Sequence, residues 1–282
     1  MEIPTTLRKE ARRTPSFDWA DVLIAAALSL LFYPTFHRLA VLGWPSADYT
    51  HAYFLVPISA WLFFRQRKHL QKTESIPAVG IILFAAALLL TVFSALNRFM
   101  FLEAFSFVLM VWALFRIRFT GESLRPLRFP LAYLLFLVPP PQLAVDLATL
   151  PLKKISTAGS YFLLKIVGLP VEVRGAILKV GEYELFVSDA CSGFRSMVAL
   201  LALGALYAYF AQTSRAKQWV LFAAVVPLGI LGNILRIFLT GCISYFFGVQ
   251  YAEGFFHEFS GGLLFLFTLL GLMMIKEKIC GR

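Results

Sequence analysis

The chain has 282 residues, of which 59% are hydrophobic and only 15% are charged, and its mean hydropathy is +0.76. Soluble domains carry about 25% charged residues, so this composition excludes an ordinary soluble protein and indicates a polytopic membrane protein. The formal net charge of +10 does not indicate a nucleic-acid partner, because the basic residues stand in short clusters between apolar runs.

The apolar runs predict about eight transmembrane helices, because a hydrocarbon core of about 30 Å needs about 20 apolar residues per helix. The expected fold class is therefore an all-α polytopic membrane protein. The fifth span is short and ends in three prolines, 139–141, which cannot continue a helix. The predicted spans are 19–36, 48–64, 78–96, 99–115, 127–140, 191–211, 218–241 and 258–275.

The basic clusters predict the orientation of these spans. They fall before span one, after span two, between spans four and five, between six and seven, and after span eight, which are alternate loops. The positive-inside rule then places both termini in the cytoplasm. No small-x-small cleavage site follows the basic N-terminus, so we expect the first span to remain uncleaved.

One long segment, 141–190, is expected on the extracytoplasmic side. Leu143, Leu147 and Leu150 recur at helical spacing and predict an amphipathic helix lying at the interface. The alternation at 171–174 and the runs 176–180 and 183–187, which flank Gly181-Glu182, predict short strands or a small β-hairpin before span six. We therefore expect one integral membrane domain, 1–282, with five spans in 19–140, this segment, and three spans in 191–275.

Cys191 lies in a small, polar stretch, 188–196, that leads into span six. If Ser188 or Asp189 caps this helix, Cys191 lies in its first turn, where the helix dipole lowers thiol pKa values. Arg195, four residues on, adds positive charge on the same face. The alternative is that Cys191 is a small buried hydrophobe, as free cysteines often are.

Two further polar residues are expected at the same membrane face. Arg236 lies toward the outer end of span seven, with Asn233 one turn earlier; an arginine inside a membrane span usually faces a protein interior or a watery cavity. Snorkelling to the interface is the alternative for Arg236. His257 starts span eight and is a candidate base, or else a loop histidine bonded to backbone.

The three residues together suit acyl transfer at a peptide carbonyl. A cysteine and a histidine provide nucleophile and base, and an arginine stabilises a thiolate or an oxyanion. Cys242 and Cys280 have no such surroundings, and three cysteines provide neither a disulfide framework nor metal-ligand spacing. We therefore expect no metal and no cofactor.

The sequence resembles the exosortase/archaeosortase family of multispan membrane transpeptidases. The resemblance lies in three segments: Ala190-Cys191-Ser192-Gly193 with Arg195-Ser196, Asn233-Ile234-Leu235-Arg236-Ile237, and His257 followed by a glycine pair. Tyr49-Thr50-His51 with Leu55-Val56-Pro57 is similar to a further family segment, although Thr50 and Ala52 replace the usual Ser and Gly. Gly168-Leu169-Pro170-Val171 resembles the family segment before the cysteine.

The resemblance implies a sortase-like cysteine peptidase on an unrelated fold. Cys191 would form a thioester, His257 would act as base and then acid, and Arg236 would hold the thiolate or oxyanion. Arg195, Asn233, His51 and Ser192 would support the site or bind substrate. The implied partners are exported proteins that end in a PEP-CTERM-like motif, a helix and a basic tail, together with membrane lipid and an unknown acceptor nucleophile.

Two other functions remain open from the sequence. The same residues could serve an intramembrane cysteine protease that hydrolyses its substrate without transfer. The chain could also be a non-enzymatic component of a polysaccharide-export system. A transporter is expected to contain broken helices in matching halves, and the sequence contains no internal repeat.

Overall fold

The fold is mostly helical, with one small antiparallel sheet, in a computed structural model that describes residues 18–44, 51–175, 177–186, 194–211, 213–253 and 255–280. The chain divides into two compact units, unit 1 (Met1–Pro139) and unit 2 (Pro140–Arg282). The helices and strands are given below for each unit in chain order.

The described residues of unit 1 form five α-helices. They are α1 (Trp19–Arg38), α2 (Ala52–Gln66), α3 (Ala78–Asn97), α4 (Met100–Arg118) and α5 (Arg128–Tyr133). A π-helical turn, Leu39–Gly43, extends α1, and 3-10 turns follow α2 and flank α5. A leucine-rich core joins α4 to the segment after it; its buried residues are Leu70, Val108, Val111, Phe119, Leu124, Leu127, Leu131 and Leu134.

An ionic cluster fixes one end of unit 1. Asp18 caps α1 by accepting a hydrogen bond from the backbone N–H of Asp21, and Asp21 returns the bond in a capping box. Lys72 and Arg118 form ion pairs with both carboxylates, at 2.6–3.2 Å. The Lys72 hydrogen bond holds the pKa of Asp18 well below its usual value. The start of α1 therefore lies beside the end of α4, so these two helices are antiparallel.

In unit 2 the part of the chain that the structure describes forms five α-helices and the sheet. They are α6 (Gln142–Ile166), β1 (Val171–Arg174), β2 (Ile177–Val180), β3 (Tyr183–Phe186), α7 (Phe194–Phe210), α8 (Arg215–Phe247), α9 (Val249–Glu253) and α10 (Phe255–Cys280). The three strands are antiparallel in the order β1-β2-β3. The hairpin expected around Gly181-Glu182 is formed by β2 and β3, and the alternating segment 171–174 is β1. The sheet packs on α8, where Gly181 leaves room for the Tyr245 ring.

The helix α8 is the centre of unit 2, because its glycines allow close packing on three sides. A Cβ added at Gly229 would overlap Met197 of α7, one at Gly232 would overlap Leu264 of α10, and one at Gly241 would press on Leu164 of α6. Small residues at helix contacts are the usual means by which membrane helices approach each other.

The described residues contain five helices that are long and apolar enough to cross a membrane. They include α1, α3, α4, α8 and most of α10, and a sixth span arises if 125–137 and 142–166 form one broken crossing. This establishes a multispan membrane protein. The predicted spans 48–64, 127–140 and 191–211 correspond to shorter or broken helices, so the count of eight remains a prediction.

The helix predicted within 141–190 is present as α6. Its apolar side chains are exposed and its small polar side chains are buried, the reverse of the pattern in a soluble protein. Leu143, Leu147 and Leu150 are exposed, whereas Ser156 and Ser160 are buried. In a bilayer the leucines can face lipid, and small hydroxyl side chains pack and hydrogen-bond between helices.

Candidate functional site

Arg236 and Asn233 lie on one face of α8, buried inside unit 2. They are three residues apart, so they occupy neighbouring turns of the same helical face. Asn233 is 1% exposed and Arg236 is 9% exposed. The guanidinium therefore lies within the protein, which differs from the snorkelling alternative.

Hydrogen bonds from three helices meet at this face. The Nε of Arg236 donates to the Ser260 hydroxyl of α10 at 2.8 Å. The amide nitrogen of Asn233 donates to the Ser156 hydroxyl of α6 at 3.0 Å. The Ser160 hydroxyl, one turn further along α6, donates to the backbone carbonyl of Ile234 at 2.9 Å. We call these five residues — Ser156, Ser160, Asn233, Arg236 and Ser260 — the polar cluster.

A cavity of about 280 Å³ lies beside Arg236, between α8 and α10. Arg236 and Ser260 are the polar residues of its lining, and the remaining lining residues are leucines, a glycine and Phe267. In apolar surroundings of this kind, a fixed guanidinium interacts more strongly with an anion than it does in water.

The packing register places the start of α10 close to Arg236. Leu228 faces Gly271, Gly232 faces Leu264, and Arg236 bonds Ser260, so α8 and α10 are antiparallel. His257 stands three residues before Ser260 on α10, which is about one helical turn. The structure thus places the His257 position one turn from the residue that binds Arg236.

The start of α7 lies at the same level of unit 2. Met197 packs on Gly229, and Gly204 packs on Val225, so α7 and α8 are also antiparallel. Phe194, the first residue of α7, stands one turn before Met197 and is therefore level with the Asn233 turn of α8. Arg195 lies in this first turn of α7.

The other predicted site residues belong to unit 1 or lie outside the described residues. Cys191 and Ser192 belong to 187–193, outside the described residues, as do Ser188 and Asp189, the expected caps. In the sequence, Cys191 stands five residues after the end of β3 and three before α7. His51 precedes α2 in unit 1 and is half-buried.

The serines of the polar cluster were not among the residues predicted from the sequence. Ser156 and Ser160 are spaced by four residues within an apolar helix, which is a usable pattern for a helix contact. Ser260 stands one turn after His257, and this spacing is the only indication the sequence contains. Cys242 is half-buried beside an apolar cluster that includes Leu164 and Ile237.

The fold and the polar cluster define a class of protein: a multispan membrane protein with a buried arginine that is hydrogen-bonded to the Ser260 hydroxyl of a neighbouring helix. The sequence matches the family described as transmembrane exosortase over residues 43–274, so the chain belongs to the transmembrane exosortase family. Members of this family are generally cysteine transpeptidases that act on exported proteins in sorting. No curated protein and no solved structure matches the chain.

Proposed function

We propose that the protein is a membrane-embedded cysteine transpeptidase that cleaves the C-terminal sorting signal of exported proteins and transfers them to an acceptor. The signal would be a PEP-CTERM-like motif followed by a helix and a basic tail. The observation that carries the proposal is Arg236, buried on α8 and hydrogen-bonded to Ser260 one turn from His257, in a chain of the exosortase family.

The reach of the chain supports Cys191 as the nucleophile at this place. Cys191 stands three positions before Phe194, and three residue steps extend at most about 11 Å. Because the start of α7 is level with Asn233, a thiol at position 191 can reach the Arg236 turn. Arg195 and Ser192, on either side of the helix start, would support the thiolate and the substrate.

In the first half-reaction, the thiol of Cys191 attacks the scissile peptide carbonyl. His257 accepts the thiol proton, and the carbonyl oxygen takes the electron pair and becomes an oxyanion. The intermediate then collapses, the C–N bond breaks, and His257 returns the proton to the leaving amine. The products are a thioester on Cys191 and the released C-terminal helix with its basic tail.

In the second half-reaction, an acceptor nucleophile attacks the thioester carbonyl. His257 takes the proton of the acceptor, the C–S bond breaks, and Cys191 is regenerated as a thiol after proton return. Water in place of the acceptor would give hydrolysis with the same residues, which is the alternative enzyme function.

Arg236 would stabilise the charge that develops in both halves. A preorganised donor at an oxyanion is worth about 10²–10³ in kcat, and the apolar cavity beside Arg236 strengthens such an interaction. Asn233 would fix the same face of α8 through its hydrogen bond to Ser156. His51, in unit 1, would take a supporting or substrate-binding role.

The orientation that we propose has both termini in the cytoplasm, the site on the extracytoplasmic face and the protein in the cell inner membrane. The ionic cluster supports part of it, because Lys72 and Arg118, from two predicted cytoplasmic loops, meet the start of α1. We propose that residues 1–282 form a single integral membrane domain, with the catalytic spans in 191–275.

The test is processing of a co-expressed substrate that carries a C-terminal sorting signal. We expect Cys191→Ala, Arg236→Ala and His257→Ala each to abolish processing while the protein still inserts, whereas Cys242→Ala processes normally. Mass spectrometry of the new C-terminus distinguishes transfer, which leaves an attached acceptor, from hydrolysis, which leaves a free carboxylate. Normal processing by Cys191→Ala would leave a non-enzymatic role in polysaccharide export.

A further inference from the structure

A second cavity, of about 430 Å³, lies in unit 1. It is lined by Arg38, the last residue of α1, by Leu42 in the turn that follows, and by Arg98 and Met100 at the turn between α3 and α4. Two arginines and two apolar side chains therefore surround one cavity.

This cavity lies at a membrane boundary. The helices α1, α3 and α4 are each long enough to cross the bilayer. The helices α1 and α4 are antiparallel, since Arg118 meets the start of α1 and Glu103 pairs with Arg38 at its end. A two-residue turn makes α3 and α4 antiparallel as well. Arg38 and Arg98 thus lie at the same boundary, opposite the ionic cluster.

The two arginines differ in their partners. Arg38 forms an ion pair with Glu103, whose side chain is 2% exposed, so this guanidinium is held in place. Arg98 is exposed and, among the described residues, has no ion-pair partner. Among the described residues, two guanidinium groups and one carboxylate leave a net charge of +1 here, which complements a single phosphodiester.

Arg98 has a backbone conformation that is unusual for a residue other than glycine. Arg98 ends α3 with φ +57, in the left-handed conformation that glycine adopts without cost and that other residues adopt rarely. An arginine at this position is less stable than glycine. A binding role for its guanidinium at the cavity would explain why an arginine stands here.

The surface around the cavity suits acyl chains. Leu42 is 66% exposed, Leu96 on the last turn of α3 is 79% exposed, and Phe99 in the turn is 51% exposed. These side chains lie on spanning helices or beside them, so lipid is their natural surrounding. An anionic headgroup at the arginines would place its acyl chains along these side chains.

We propose that this cavity is a binding site for an anionic phospholipid, with its phosphate between Arg98 and Arg38. Guanidinium groups bind phosphate oxygens through paired, charge-assisted hydrogen bonds. Because the cavity lies at the ends of membrane-spanning helices, the phosphate of a lipid headgroup fits it better than a free anion does. This site does not depend on the proposed transpeptidase function.

The experiment is native mass spectrometry of the purified, delipidated full chain with added phosphatidylglycerol. The main variant is Arg98→Gly, which removes the guanidinium and suits the left-handed backbone, so we expect it to fold normally. It should retain phosphatidylglycerol about fivefold less, since one interfacial arginine contributes about that factor. Arg125→Gln is the control; Arg125 is an exposed arginine near the other boundary.

A second variant, Leu42→Trp, keeps both charges and fills the cavity, and it should also lose the lipid. Equal retention by wild type and both variants would overturn the proposal. Displacement of the lipid by millimolar inorganic phosphate would identify a free-anion site and overturn the lipid assignment. Equal retention of diacylglycerol, which lacks the phosphate, would show that the arginines are not the binding groups.

Discussion

The hydrogen bond between Arg236 and Ser260 allows a sharp test of how the buried arginine is held. Ser260→Ala deletes the hydroxyl that accepts from Nε at 2.8 Å, in a site where Ser260 is 2% exposed. A hydrogen bond to a charged group contributes about 1.5–3 kcal/mol. If Ser260 fixes the guanidinium for the transition state, kcat should fall about 10- to 150-fold, with KM nearly unchanged.

The assay is the rate of substrate processing by purified enzyme, with kcat and KM determined separately. Ser260→Thr keeps a hydroxyl at the same place and should restore most of the rate. Thr268→Val is the matched control, because Thr268 is buried on the same helix and its hydroxyl donates to the carbonyl of Leu264 within that helix. Wild-type kcat in Ser260→Ala, or an equal loss in Thr268→Val, would refute the positioning role of Ser260.

Three further predictions concern stability. Gly204→Ala should lower the free energy of unfolding by about 1–3 kcal/mol in detergent, because its Cβ would overlap the stiff, buried Val225, whereas Gly261→Ala, with open space around it, should not. Arg38→Ala should destabilise more than Glu103→Gln, because the first leaves a carboxylate that is 2% exposed without its cation; equal shifts in melting temperature would contradict this. Asp18 has a lowered pKa in the folded state, so its stabilisation is present above the unfolded value of about 3.9 and is lost as pH falls toward the folded pKa. Asp18→Asn keeps an N-cap, and its melting temperature should approach that of wild type on acidification; a constant difference from pH 7 to pH 3 would count against the ion pairs.

The spans and the sheet could be predicted from the sequence because length and alternation determine them. The predicted runs 19–36, 78–96, 99–115, 218–241 and 258–275 correspond to α1, α3, α4, α8 and α10, with ends that differ by a few residues. The alternation at 171–174 corresponds to β1 at the same bounds. Hydropathy alone did not settle the number of crossings, because α2 and α7 are short and prolines interrupt the helices around 139–141.

The polar cluster could be predicted only in part. Arg236 and Asn233 stand out in an apolar span, since charged and amide side chains are costly in a bilayer. The pairing with Ser156 and Ser260 depends on the register of α6 and α10 against α8, and glycine contacts set that register. A single sequence contains no information on which serine meets which partner across helices.

The outward leucines of α6 illustrate the same difficulty. At Leu143, Leu147 and Leu150 the helical spacing was correct, but spacing does not tell whether an apolar face meets protein, lipid or the interface. The hydrogen bonds of Ser156 and Ser160 to residues of α8 show that the serine face of α6 is the face that contacts protein.

The central claim is that Cys191 carries the acyl group during transfer, and trapping that intermediate tests it most directly. Purified enzyme incubated with substrate and no acceptor should form an adduct that peptide mass spectrometry assigns to the fragment containing Cys191. Hydroxylamine should release the adduct, since it cleaves thioesters, and Cys191→Ala should form none. Substrate cleavage that proceeds at the wild-type rate in Cys191→Ala, without any adduct, would contradict the account.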